Sequence, residues 1–190
     1  RCRWLAPHRQ TTRATMSADH QVRGELMPAL VCGGAGTALT NAGQHAELQR
    51  MCDADIDAIL VIENDSFAAP WPRSAFELAL TAPELLCLVA YAGGVAGYLI
   101  ACPDRQDALI ANVAVASDHR RLGFGQDLIE AALRWAENRG ANSCRLDVRM
   151  SNNAAQRLYR RLGFRRAGVR QGSYPNPRED ALTMVRLLNN

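Results

Sequence analysis

The apolar run Leu109-Ile110-Ala111-Asn112-Val113-Ala114-Val115 is followed closely by Arg120-Arg121-Leu122-Gly123-Phe124-Gly125 and then by an amphipathic stretch to Arg139. The first piece reads as a strand, the second as a glycine loop and the third as a helix. Leu122, Leu128, Ile129, Ala132, Leu133 and Ala136 form its apolar stripe. Gly140 supplies the stop. A strand that feeds a helix through such a loop presents unpaired first-turn N–H groups and the positive end of a helix dipole. Gly123 and Gly125 keep that backbone accessible, and Arg120 and Arg121 can add charge-assisted contacts. Two readings stand side by side: a phosphate cradle, and a plain helix cap.

The known phosphate motifs do not match. The spacing is not G-x-G-x-x-G, and no Gly-Lys-Ser/Thr is present. All 22 basic residues are Arg, which excludes both a P-loop lysine and a lysine Schiff base. The formal charge of +3 hides an uneven distribution. Residues 44–118 hold three Arg against eleven acids, net −8, and residues 119–190 hold fourteen Arg against six acids, net +8. Such halves suit a cleft that takes phosphate on one side and a cation on the other, although compositional accident explains them equally well. The late arginines are interleaved with helix and strand faces and lack a matching set of aromatics, which argues against direct nucleic-acid binding.

Leu85 to Cys102 is uncharged, long enough to raise the question of a membrane span. Gly93-Gly94 divides it, with Tyr91 and Tyr98 to either side, so a hairpin is expected and no membrane. Six Cys without a C-x-x-C pair read as reduced, mostly buried thiols of a cytoplasmic protein. Four scattered His give no zinc spacing, and no metal is expected.

Residues 1–43 begin with Arg, carry Gly33-Gly34-Ala35-Gly36 and lack the apolar core of a secretory signal. They read as a disordered or extraneous extension, with Met16, Met27 and Met51 as alternative starts. A single domain is expected over residues 44–190. Its first strand is placed at Ala46–Met51. A helix opened by Asp53 and Asp55 carries Ile56, Ile59, Leu60 and Ile62-Glu63, and ends by Phe67. Pro70-Trp71-Pro72 makes a corner, and Arg73–Leu80 a second helix. Leu85–Ala92 and Val95–Ala101 pair as the hairpin, and Pro103–Asp107 turns into the strand ending at Val115. Ser143–Met150 alternates, with Cys144, Leu146, Val148 and Met150 on one face. Ser151 or Asn152 caps a helix over Asn153–Leu162, ended by Gly163. Late strands Phe164–Ser173 and Leu182–Leu187 flank a loop at Tyr174–Asp180. The order implies an α/β fold, a mixed central sheet flanked by helices.

The segment from Asn112 to Gly125, with its Arg120-x-x-Gly123-x-Gly125 core, resembles the acetyl-CoA signature of the GNAT superfamily of N-acetyltransferases. Tyr159-Arg160-Arg161-Leu162-Gly163-Phe164 extends the likeness. Within the superfamily, four further stretches resemble the branch that acetylates the amino-terminal alanine of a small-subunit ribosomal protein. These are Pro70-Trp71-Pro72 with Phe76, Leu146 to Asn152, Tyr174-Pro175, and Arg178 to Met184. The likeness spans roughly residues 46–188.

The resemblance implies a GNAT fold and acetyl-CoA as co-substrate. Its pyrophosphate would rest on the amides of Leu122, Gly123, Phe124 and Gly125, supported by Arg120 and Arg121, with its pantetheine arm along Val113 and Val115. Asn152 would touch the cofactor, or simply cap its helix. Asp147 stands where the branch carries a glutamate base, and Tyr159 where it carries the acid that protonates the thiolate. The plain alternatives are a solvated strand face for Asp147 and core packing for Tyr159. Trp71 and Tyr174 would line the acceptor site, Trp71 otherwise serving as a plug. Ser173 replaces one of two tyrosines usual there, which keeps open a lysine, polyamine or amino-sugar acceptor. Glu179 and Asp180 could orient a basic peptide, or belong to a solvated turn. The resemblance further implies direct attack by the amine, a protein amino terminus as partner, and a monomer. A CoA-binding module without turnover is the non-enzymatic alternative.

Overall fold

The computed structural model describes residues 47–188; the extension expected over residues 1–43 lies outside them. The chain runs β1 (Glu47–Arg50), α1 (Ile56–Ser66), α2 (Arg73–Leu80), β2 (Leu86–Tyr91), β3 (Val95–Asp104) and β4 (Asp107–Val115). It continues through α3 (Phe124–Asn138), β5 (Ser143–Arg149), α4 (Asn153–Arg161), β6 (Arg165–Pro175) and β7 (Arg178–Leu187). One seven-stranded sheet has the order β1-β2-β3-β4-β5-β7-β6. Every neighbouring pair is antiparallel except β4 and β5, which α3 joins as a parallel crossover.

Two apolar layers sandwich the sheet. On one side Leu128, Ile129, Ala132, Leu133 and Ala136 of α3 meet Leu99, Ile110, Leu146 and Met184. On the other, Ile56, Ile59 and Ile62 of α1 and Phe76 of α2 meet Val89, Tyr98 and Ile100. Full burial of such a side chain contributes about 1.5–3 kcal/mol, so these facing stripes fix both helix layers on the sheet. The uncharged stretch 85–102 is the β2–β3 hairpin, and among the described residues no helix is long and apolar enough to cross a membrane.

Helix ends follow their local chemistry. At the end of α3, Gly140 adopts φ 71°, and the Gly140 and Ala141 amides donate to Glu137 and Ala136. The end of α4 repeats the device: Gly163 has φ 86°, and the Phe164 amide donates to the Tyr159 carbonyl at 2.9 Å. This puts the Phe164 ring against that of Tyr159, 5.9 Å between centroids.

Several boundaries differ from expectation. Leu122 is exposed in the loop before α3 and takes no part in its stripe. Met150 lies past the end of β5 and is exposed. The loop expected at Tyr174–Asp180 is mostly strand, because β6 and β7 pair up to Pro175↔Arg178 and leave only Asn176-Pro177 to turn. Likewise β3 reaches Asp104, and Arg105, at φ 61°, makes a tighter turn than the one placed over Pro103–Asp107. Among the described residues, Cys52, Cys87 and Cys144 are free thiols.

Candidate active site

The site follows from a parallel pair that stops early. β4 and β5 pair only at Ala108↔Cys144 and Leu109↔Arg145. Beyond these, β4 stays with β3 up to Val115 and β5 stays with β7 up to Arg149. The two strands part, and the sheet opens between them. A bulge between Ile100 and Ala101 of β3 skips Ala111 in the β4 register. The skip exchanges the faces of β4. Ala108 and Ile110 join the α3-side core, while Ala114 joins the α1-side core and Asn112 meets α1. Val113 and Val115 are half-buried against the α3 layer. The parted edge of β4 can accept an extended ligand arm as an added strand.

The glycine loop closes one end of this opening. Arg121, at φ 66°, and Gly123, at φ 101°, turn the chain sharply into α3. The Gln126 and Asp127 amides fold back on the Gly123 carbonyl, at 2.8 and 3.1 Å. Gly123 has no side chain to cap the helix, so the earlier first-turn amides point outward, as they do at any uncapped start. The ring of Phe124 is buried in the core and leaves only its backbone to the loop. A Cβ on Gly125 would make ordinary contacts with Leu158 and Val115, at 3.5 and 3.6 Å. The loop thus has what a pyrophosphate needs: exposed amides, a helix dipole and close backbone approach. Arg121 is exposed beside it. Arg120 turns elsewhere: its Nε donates to the Val115 carbonyl at 3.0 Å, and its Nη2 to Ser66 at 3.1 Å and Asp65 at 3.4 Å. That guanidinium fastens the loop to the end of α1.

Tyr159 and Asp147 stand at the other flank. Tyr159 is buried on α4, and burial pushes its phenol above the ordinary value of 10, with Tyr174 adding to the effect. Its hydroxyl makes no hydrogen bond among the described residues, yet it is not sealed from solvent. Half-buried Asp147 accepts from Thr183 Oγ1 at 2.6 Å and from Arg170 Nη1 at 2.5 Å. Burial, and then the charge of Asp147, raises Tyr174 in turn. Tyr159, Tyr174 and Asp147 therefore share one electrostatic neighbourhood, reached from α4, β6 and β5. Asn152 caps α4 by accepting from the Ala155 amide at 3.1 Å.

Tyr174 is held from below. The Arg149 guanidinium lies 4.1 Å from its ring centroid and binds the carbonyls of Asn176 and Pro177 and the carboxylate of Glu179. Glu179 also accepts from the Ser151 amide and hydroxyl, at 2.5 and 3.1 Å, and these contacts hold its carboxyl below the ordinary value. Asp180 accepts from the Gly172 amide at 2.8 Å. Both acids are engaged within the β6–β7 turn and its neighbours. Trp71 lies at the α1–α2 corner, its ring 5.8 Å from Phe76.

One buried group escaped sequence reasoning. Glu63 on α1 is 1 % exposed and accepts from the Trp71 amide, Tyr98 and Asn112. A signal was available: an acid seven residues after Ile56 sits on the buried face of α1. Among the described residues, no cluster of His, Cys, Asp and Glu could hold a metal.

Comparison with known proteins places this geometry. Residues 56–164 match the model of the acetyltransferase (GNAT) family. The [ribosomal protein bS18]-alanine N-acetyltransferase of Escherichia coli K12 is 35% identical over 133 residues, covering 69% of this chain and 90% of its own length. The crystal structure of the ribosomal-protein-S18-alanine N-acetyltransferase from Escherichia coli superposes with a TM-score of 0.69 at 30% identity, over 77% of this chain and 96% of that one. Ard1 from Thermoplasma volcanium, at 24% identity and TM-score 0.70 over 76% of this chain and 99% of its own, shares the fold.

Proposed function

The chain belongs to the acetyltransferase (GNAT) family, and from that premise we propose that it transfers the acetyl group of acetyl-CoA to the α-amine of a protein amino terminus, the alanine terminus of a small-subunit ribosomal protein. The observation that carries the reading is the opening between β4 and β5, with a bare helix start at one end and Tyr159 with Asp147 at the other. The relatives that span most of this chain support the acceptor, since they are named for ribosomal-protein alanine acetylation.

Each residue then has a task. The amides from Leu122 to Gly125 hold the pyrophosphate, with Arg121 adding charge, and the free edge of β4 at Val113 and Val115 aligns the pantetheine. An amino terminus, with an ordinary pKa of about 7.7–8.0, must lose a proton before it can attack. Asp147 attracts the incoming ammonium in exchange for Arg170 and takes that proton, directly or through water. The neutral nitrogen attacks the thioester carbonyl, the C–S bond breaks, Tyr159 gives its proton to the departing sulfur, and the proton that the nitrogen sheds as the amide forms restores the phenol through water. Trp71 and Tyr174 wall the peptide's path. The catalytic domain covers residues 44–190 and works on a cytoplasmic partner. Ser173, whose hydroxyl donates to the Arg170 carbonyl, leaves the mouth wider than two tyrosines would, which favours a small amine or a lysine side chain as the second reading.

The test incubates the purified full chain with acetyl-CoA and peptides beginning Ala-Arg, with the amino terminus free or blocked and with or without an internal lysine. Mass spectrometry locates the added acetyl group. Acetylation of the free terminus is the expected result; modification confined to lysine sinks the proposal.

A further inference from the structure

Among the described residues, Glu63 is a buried carboxylate with no cation against it. Its neighbours on the inner face of α1 are Ile56, Ile59 and Ile62, so core packing at this position calls for an apolar side chain. Taking a carboxylate out of water is costly unless its oxygens are hydrogen-bonded. Three neutral donors from three places provide those bonds. Oε1 accepts the Trp71 amide at 2.7 Å, Oε2 accepts the Tyr98 hydroxyl, and Asn112 Nδ2 lies 3.3 Å from both oxygens. Burial still leaves the carboxyl above its ordinary range, against the pull of these bonds.

The donors are not scattered. Trp71 stands between Pro70 and Pro72, which have no N–H, so its amide is the one backbone donor of that tripeptide. Tyr98 meets Phe76 edge-on at 5.6 Å, and Phe76 carries the Trp71 ring. A hydrogen-bonded chain and an aromatic chain thus both join Tyr98 to Trp71. Asn112 lies on β4 where the sheet opens. A second clamp, Arg120, ties Asp65 and Ser66 at the end of α1 to Val115. The last turn of α1 is therefore fixed to β4 at both ends of the segment assigned to the pantetheine.

Resting on the function proposed above, we infer that Glu63 is a positioning residue for the acceptor: it locks the Trp71 corner to the cofactor strand at Asn112 and so sets the acceptor wall at a fixed distance from the thioester. Glu63→Gln keeps the size but turns an N–H toward one of the donors. In the full chain, kcat and KM are measured for acetyl-CoA and for a panel of an Ala-initiated peptide, a lysine peptide and spermidine. Thermal melting and hydrogen exchange of residues 67–72 are followed in parallel. The expected result is a KM for the acceptor raised about tenfold with the KM for acetyl-CoA nearly unchanged, and faster exchange at the corner. If both KM values move together, or neither moves while melting falls, Glu63 is structural only and the inference is overturned. Tyr98→Phe removes a single donor and shows the same split more weakly; it decides the matter if Glu63→Gln does not fold. Wild-type turnover of spermidine or lysine alone overturns the amino-terminal reading, while the split measured on that acceptor still decides Glu63.

Discussion

Tyr159→Phe separates chemistry from packing because the structure gives the hydroxyl nothing to hold. The phenol makes no hydrogen bond among the described residues, and the ring that packs on Phe164 is retained in Phe. Loss of the oxygen therefore changes folding stability by less than about 0.5 kcal/mol. Catalysis is a different matter. A positioned general acid is worth about 10²–10⁴ in rate. The leaving group here is a thiolate, whose conjugate acid has an ordinary pKa of about 8.5, so it needs the proton less than an alkoxide would. The lower end applies: kcat falls about 10²-fold, or about 2.7 kcal/mol at 1.36 kcal/mol per decade. Because the folded-state pKa of Tyr159 is raised above its ordinary value of 10, the donor stays protonated across neutral pH. The wild-type rate should not decline between about pH 7 and 9 through its ionisation. The assay follows release of the CoA thiol at saturating acetyl-CoA and acceptor, with calorimetric titration of CoA and thermal melting beside it. A kcat within threefold of wild type would refute the acid role. A lost melting temperature or weakened CoA binding would show that the ring, not the proton, matters.

Three further substitutions probe the glycine loop and the β6–β7 turn. Gly123→Ala forces a methyl onto a residue at φ 101°, costs about 1–2 kcal/mol and weakens CoA binding about tenfold by turning the first-turn amides; Gly125→Ala meets only ordinary contacts at 3.5 Å and beyond, and should hold stability and affinity within about 0.5 kcal/mol. Titration calorimetry and melting of the two variants decide, and equal losses at both would contradict the loop geometry. Glu179 has a carboxyl held below its ordinary value of 4.5, chiefly by the Ser151 amide. A depressed folded pKa means stability that is present above the unfolded value and lost as pH falls through the folded one. Glu179→Gln should therefore melt lower than wild type at neutral pH, with the gap closing as pH falls below the carboxylate range, and a constant gap would be wrong for this cause.

The strand–loop–helix segment was legible because each part has a local cause: an apolar run, two glycines and a stripe at helical spacing. Asp147 and Tyr159 were legible as members of a motif, but their meeting was not. They lie on β5 and α4, and Tyr174 reaches them only because β6 and β7 pair further than turn residues imply. Arg120 looked like a phosphate ligand by its place in the motif. Its guanidinium is drawn instead to Asp65 and Ser66, more than fifty residues away in the chain. Glu63 carried a sequence signal in its position on the apolar face of α1, but no spacing names Trp71, Tyr98 and Asn112 as its donors.

By itself the sequence determined what neighbouring residues decide together: the helices and their caps, the β2–β3 hairpin, the glycine turn into α3 and the alternation of β5. Those features depend on backbone dihedrals, side-chain period and capping groups within a few residues. Tertiary structure alone decided where β4 and β5 part, which face β4 shows after its bulge, and which charges are spent inside the fold. Each of these depends on backbone and side-chain groups that the chain brings together only after the sheet has formed.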